Sequence, residues 1–466
     1  MSKITHAATR AAFGTAIDGV LKYVNRDRKE HMMKLVDLSE KFLGDTFRQE
    51  TYDGARNLVQ EDGKWIQFIN KALDELDPHV LKMTALNLGF EAGFAGFKKT
   101  RELSEKLDTN IPWIILMDPT SACNLHCTGC WAAEYGNKLN LTYEDMDSII
   151  TQGKELGIYF YMMTGGEPLM RKKDIIRLCE KHSDCAFHAF TNATLIDEEL
   201  CREMQRVGNL SLSISLEGFE EVNDGRRGQG IYKKVLDAMD LLKAHGLIFG
   251  TSICYTRNNV DVVSSDEFLD LIIEKGCRFT WYFHYMPVGN EAAPSLLPTP
   301  KQREYMYHRV REIRAKEGGK PIFSMDFQND GGYVGGCIAG GRFYCHINPN
   351  GDMEPCVFVH YSDANIHRNT LLECFQQPIF QAYRQGQPFH ENHLRPCPML
   401  ENPECLKAMV EKTGAKSTDL QSPESAAHLC EKCRPYAEQW KPKADELWAK
   451  RTGREPSTTA KAAQQG

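Results

Sequence analysis

Three cysteines stand close together in the segment Ser121–Trp131, "SACNLHCTGCW": Cys123, Cys127 and Cys130, spaced C-x3-C-x2-C. Thiolates converging from one short loop can hold three irons of a [4Fe-4S] cluster and leave the fourth iron open, which a cluster needs if it is to do chemistry on a ligand. A zinc knuckle completed by His126 is the alternative. A second group lies far downstream. Cys337, Cys345 and Cys356 flank a hairpin-like Asn350-Gly351 turn in "CIAGGRFYCHINPNGDMEPC", Cys397 stands between prolines, and Cys430 and Cys433 form a two-residue-spaced pair able to grip one metal. These six read as metal ligands, of an iron-sulfur cluster or of a structural zinc. The remaining cysteines, Cys374 and Cys405 included, read as small buried residues.

The elements that would position these groups change character along the chain. Residues 1–108 carry apolar residues at three- and four-residue spacing and read as a helical region. An apolar, glycine-rich stretch, "GFEAGFAGF", lies near its end and reads either as a helix-packing face or as a contact for an oily ligand. From 109 to 320, six short apolar runs at 113–118, 158–163, 186–190, 210–216, 248–255 and 278–285 alternate with helical patterns. Six βα units predict a parallel sheet covered by helices, hence an α/β fold with a partial (βα)6 TIM-type barrel open at one side. The cysteine triplet then sits just after the first strand, at the end of the sheet where barrel active sites form. Residues 321–440 are rich in Gly, Cys and Pro and predict a loop-rich extension whose fold depends on metal. Residues 441–466 read as the end of a helix and a disordered tail.

The 466 residues, 42% hydrophobic and 26% charged with a net charge of -7, describe a globular chain with no electrostatic sign of nucleic-acid binding. No apolar run is long enough to span a bilayer, and residues 1–9 lack the apolar core of a secretory signal, so a cytoplasmic location is expected. In that reducing setting 16 cysteines favour metal binding over disulfides.

The triplet resembles the signature of the radical S-adenosylmethionine (radical SAM) superfamily, and further segments match that family in order. Gly165-Gly166-Glu167-Pro168 resembles its GGE motif at the methionine end of SAM. "FTNATLID" places Asn192 where the family writes TNG, with Ala193 departing from the glycine. "LSLSISLEG" resembles its strand carrying Ser213, Ser215 and Glu217 on one face, and in "NDGRRGQG" Arg227, ahead of Arg226, matches the arginine that meets the SAM carboxylate. The resemblance covers about residues 112–316. Cys337, Gly351 and Cys356 resemble the opening of a SPASM extension, although the C-x2-C-x5-C-x3-C run of the full pattern is absent, so one auxiliary [4Fe-4S] cluster is expected beside the open one. The resemblance implies an enzyme that reductively cleaves SAM to a 5'-deoxyadenosyl radical, which takes hydrogen from an unactivated carbon. It assigns no catalytic residue beyond the cluster ligands. It also implies an electron donor such as a ferredoxin or flavodoxin. Tyr135, Met163, Tyr282, Tyr285 and Met286 are expected near the barrel mouth. The substrate is expected to be a lipid or other hydrophobic molecule joined through a new carbon-carbon bond, on a weak resemblance to the lipid-acting branch, with N-terminal helices touching the inner membrane surface. A peptide or protein maturase is the first alternative and a non-catalytic iron-sulfur scaffold or electron carrier the second.

Overall fold

The computed structural model describes residues 3–22, 28–44, 49–61, 63–132, 136, 138–289 and 292–453. Tyr135 and the tail expected at 454–466 lie outside the described residues. The six expected strands are present as β1 (Ile114–Met117), β2 (Phe160–Met163), β3 (Ala186–Thr191), β4 (Leu210–Ser215), β5 (Phe249–Tyr255) and β6 (Phe279–His284). Each pairs in parallel with the next, starting with Ile114 opposite Phe160.

Three further strands extend the sheet. β7 (Phe323–Asp326) continues it in parallel beyond β6, β8 (Tyr344–Ile347) pairs in parallel with the other side of β1, and β9 (Met353–Glu354) returns antiparallel on β8. The order is therefore β7-β6-β5-β4-β3-β2-β1-β8-β9. The expectation that regular structure fades beyond residue 321 is thus corrected. These strands are two to four residues long and place Ser324, Asp326, His346 and Glu354 at buried positions. They lack the apolar run that announces a buried strand. The sheet does not close: its edge strands are β7 and β9, and β9 covers only the His346–Ile347 end of β8, leaving a gap between β7 and the start of β8. Phe327 and Tyr344 meet edge to face across that gap, their ring centroids 6.3 Å apart.

Local chemistry explains the crossover helices. Thr142 and Asp145 form a reciprocal capping box at the start of Tyr143–Leu156, and Gly157, with φ 95°, ends that helix in the left-handed conformation. In Glu198–Val207 the buried Leu200, Cys201, Met204 and Val207 make one stripe against the sheet, which uses Cys201 as packing. Each such fully buried aliphatic side chain contributes about 1.5–3 kcal/mol.

The N-terminal helices Lys3–Lys22 to Phe97–Lys106 account for the glycine-rich stretch. It lies in the π-helical run Ala85–Gly96, where Leu86, Phe90 and Phe94 bury themselves against Phe13 and Ile17. A Cβ on Gly96 would fall 2.4 Å from the Gly157 carbonyl oxygen, so that glycine lets two backbones touch. Of the two readings of this apolar face, helix packing and contact with an oily ligand, the structure shows the first. Among the described residues no helix is long and apolar enough to cross a membrane.

Candidate active site

The carboxyl ends of the strands and the loops beyond them wall a cavity of about 900 Å³. Cys123, Cys127 and Cys130 face it from the loop after β1, and Cys337, Cys356 and Cys397 face it from the chain beyond β7. Two groups of thiols separated by two hundred residues of sequence thus share one cavity.

The first loop is held by its backbone. Gly166 N donates to Thr120 O (3.0 Å) and Glu167 N to Ala122 O (2.8 Å), while Thr128 N donates to Arg226 O and Arg226 Nε to Thr128 O, both at 3.1 Å. The two glycines of the GGE segment are required for this contact. Gly165 has φ 105°, and a Cβ on Gly166 would sit 2.2 Å from Ala122 O. Their visible task is to let the cysteine loop lie directly on the loop after β2.

Glu167 is almost fully buried and lines the cavity, but its carboxylate is committed to the fold. Oε1 accepts from Thr191 Oγ1 (2.7 Å) and Leu169 N (2.9 Å), and Oε2 accepts from Asn192 N (2.7 Å). Burial raises its pKa. Asn192 in turn donates through Nδ2 to Asn124 Oδ1 (2.9 Å), and that amide lies 3.9 Å from Cys123 Sγ. The departure from the family glycine at Ala193 has a structural counterpart: its φ is 64°, a conformation that costs an alanine but not a glycine.

Along β4, Ser215 and the following Glu217 line the cavity. Ser213 does not, which corrects its expected place among the SAM contacts. It lies deeper in the barrel, its hydroxyl 2.8 Å from His188 Nε2, whose pKa burial lowers to about 3. Glu217 is fully buried and its Oε1 lies 2.8 Å from Arg226 Nη1 and 2.5 Å from Arg227 Nη2. Glu217 Oε2 and Arg227 Nε have no hydrogen-bond partner. Unsatisfied buried charge facing a cavity is costly, and a zwitterionic amino acid group would satisfy both signs at once. Arg226 and Arg227 both line the cavity and both pair with Glu217, so the geometry does not favour Arg227 over Arg226 as the carboxylate partner.

Four of the thiols facing the cavity share a local feature. The amide two residues on points at the sulfur: Leu125 N to Cys123 Sγ (3.4 Å), Phe358 N to Cys356 Sγ (3.5 Å), Met399 N to Cys397 Sγ (3.4 Å), and Ala339 N at Cys337. Such donors favour thiolate, the form that binds metal, and tune iron-sulfur sites. Burial opposes them, raising Cys123 and Cys127 and pushing Cys356 up to about 11. Tyr344 also donates to Cys356 Sγ at 2.6 Å. Among the described residues no three His, Cys, Asp or Glu side chains are gathered as a single-ion site.

Cys345 is not one of this group. Strand alternation turns Tyr344 toward the cavity and His346 toward Asp118, and it sends Cys345 to the opposite face, fully buried beside Cys374. Its expected role as a ligand is corrected on that ground. Cys433 is fully buried near Glu401, the carboxylate that also acts on Cys337 and Cys397. Cys430 turns instead toward Glu404 and Arg434.

Aromatic side chains, including Trp131, Phe190, Trp281 and Phe283, form much of the wall. Tyr282, Tyr285 and Met286 line it as expected, whereas Met162 takes the place assigned to Met163, which is buried in the core. Three polar groups were not singled out from sequence: Cys254, next to Arg226, His284 and Asp326. Burial raises Asp326 to about 6 although Asn329 and Gln328 donate to it. No local motif marks these three. Cys254 shares the inner face of the sheet with its β6 partner Phe283, whereas His284 pairs with Tyr255 on the other face and borders the cavity only at the strand's end, a distinction readable only once the register is known.

Comparison with known proteins agrees with this geometry. Residues 117–272 match the model of the radical SAM superfamily, and residues 337–401 that of SPASM, an iron-sulfur cluster-binding domain. An AdoMet-dependent heme synthase of Methanosarcina barkeri is 23% identical over 304 residues, 59% of this chain and 86% of that protein. The mycofactocin maturase MftC of Mycolicibacterium smegmatis is 27% identical over 286 residues, 58% of this chain and 70% of that one. The crystal structure of Streptococcus suis SuiB bound to S-adenosylmethionine shares the fold with a TM-score of 0.54 at 17% identity, covering 81% of this chain and 89% of that one. The chain is thus an enzyme that carries a radical SAM domain over residues 117–272 and a SPASM iron-sulfur cluster-binding domain over residues 337–401. Its cofactors are accordingly SAM, a [4Fe-4S] cluster and auxiliary iron-sulfur centres.

Proposed function

We propose that this enzyme is a maturase that modifies a peptide or protein side chain inside the cavity shared by the two thiol groups. The observation that carries the reading is that shared cavity, of about 900 Å³, walled by aromatic side chains. The similar proteins support it: MftC is a maturase, and SuiB has been crystallised with the precursor peptide SuiA. The glycine-rich stretch offers no surface to a lipid, since Leu86, Phe90 and Phe94 pack against Phe13 and Ile17.

Cys123, Cys127 and Cys130 would hold the open cluster, and Cys337, Cys356, Cys397 and Cys433 an auxiliary one. When bound, the cluster and SAM supply one-electron reductive cleavage and, through it, hydrogen-atom abstraction from carbon. The protein's own groups do the rest. Arg226 and Arg227, set by Glu217, receive a carboxylate, Gly165 and Gly166 keep the thiol loop seated, and Glu167 with Asn192 fixes the wall beside Cys123. The aromatic surface excludes water and competing hydrogen donors.

The test is anaerobic reconstitution with SAM and dithionite, followed by mass spectrometry of peptides encoded beside the gene. A peptide mass change that appears only with SAM, together with 5'-deoxyadenosine, is expected. SAM cleavage that leaves every such peptide unaltered but modifies an iron porphyrin would overturn the peptide reading, and the heme synthase relatives make that comparison necessary.

A further inference from the structure

The cavity also reaches solvent at the other end of the sheet. Trp113 and Phe343, which precede β1 and β8, line it there together with Phe323, Tyr333 and Val334 on either side of the unclosed gap. Phe323, Tyr333 and Val334 are 47%, 63% and 41% exposed, so this end is an apolar opening.

Guanidinium groups surround it. Arg101 and Arg342 lie 5.0 and 5.1 Å from the Phe343 ring, and Arg451 and Arg314 lie 4.7 and 5.3 Å from the Tyr333 ring. Arg342 is fixed by hydrogen bonds to Cys337 O (2.9 Å) and Val334 O (2.7 Å). Of the carboxylates nearby, Asp330 is engaged by Arg314 through two bonds of 2.8 Å, and Glu105 acts on Arg101. His393 stands beside Arg342 and Arg451 and adds no negative charge. Like charges gathered at an open apolar mouth repel unless an anion joins them. Guanidinium is also the side chain best shaped to take a carboxylate.

We propose that this opening docks an acidic segment of the peptide substrate. Its carboxylates would lie on the arginines and its apolar side chains on Phe323, Tyr333 and Phe343, and the chain would continue into the cavity toward the thiols. The proposal rests on the peptide reading and goes further by assigning the charge of the substrate and its route of entry.

The experiment uses the full-length reconstituted protein and two coumarin-labelled octapeptides, alternating Glu-Phe and alternating Gln-Phe, with binding read by fluorescence anisotropy. The Glu-Phe peptide should bind about tenfold more tightly at low salt, with the advantage shrinking as salt is added. Arg101→Gln combined with Arg451→Gln should bring the two affinities to within about twofold. Iron content and peptide-free SAM cleavage should stay unchanged, because neither arginine is tied to the thiol loops. Equal affinities in the wild type, or a Glu-Phe preference that survives both substitutions, would overturn the docking site and leave the peptide reading standing. Binding of neither peptide by protein that still cleaves SAM would overturn both.

Discussion

Glu217 carries more of the site than its place in a motif suggests, because one buried carboxylate holds two arginines against the cavity. Removing one partner of a buried ion pair leaves charge without compensation. Glu217→Gln should therefore destabilise the metal-free protein by about 3 kcal/mol in urea denaturation. Arg227→Ala should keep the cluster spectrum and weaken SAM binding by about 1.5–3 kcal/mol in calorimetry, and Arg226→Ala should do the same. Asp326 offers a test by pH. Its folded pKa of about 6 lies above the ordinary aspartate range, because burial penalises the charged carboxylate, so the neutral form is favoured in the fold. Stability from this group is present at low pH and is lost as pH rises through about 6. Relative to wild type, Asp326→Asn should gain up to about 3 kcal/mol between pH 4 and 7, measured as the difference in denaturation free energy. A difference independent of pH would show that Asp326 stays ionised throughout.

At the scale of elements, the close approach of the loops after β1 and β2 makes glycine at 166 indispensable. A methyl there would meet Ala122 O at 2.2 Å, so Gly166→Ala should push the cysteine loop outward, costing about 1–3 kcal/mol in stability and reducing iron retention on gel filtration. Much of this architecture could be read from sequence. Six strands announced themselves as apolar runs, and the triplet, the GGE segment and Arg226-Arg227 fell at their carboxyl ends. β7 and β8 did not, because Asp326 and His346 stand where a buried strand ordinarily carries Val or Ile. Their partners are unmarked by any motif: His346 is held 3.0 Å from Asp118 and 2.6 Å from Glu354, and Asp326 accepts from Gln328 and Asn329. The orientation of Cys345 is hidden in the sequence for the same reason. Without knowing that residues 344–347 form a strand, there is no way to see that 344 and 345 face opposite sides. The Asn350-Gly351 turn, by contrast, was legible, and Gly351 has the positive φ of 86° that such a turn demands.

For the molecule as a whole, the sheet brings together two thiol groups that the chain keeps far apart, and its unclosed edge gives the cavity a second end. If these groups hold separate clusters, removing one should leave the other. The decisive measurement is iron, sulfide and 5'-deoxyadenosine in a variant with Cys123, Cys127 and Cys130 all changed to Ala, reconstituted anaerobically beside the wild type. The variant should lose about four irons per chain and all SAM cleavage, yet retain iron and acid-labile sulfide in the C-terminal region. Continued production of 5'-deoxyadenosine, or recovery of zinc alone with no residual sulfide, would contradict this account.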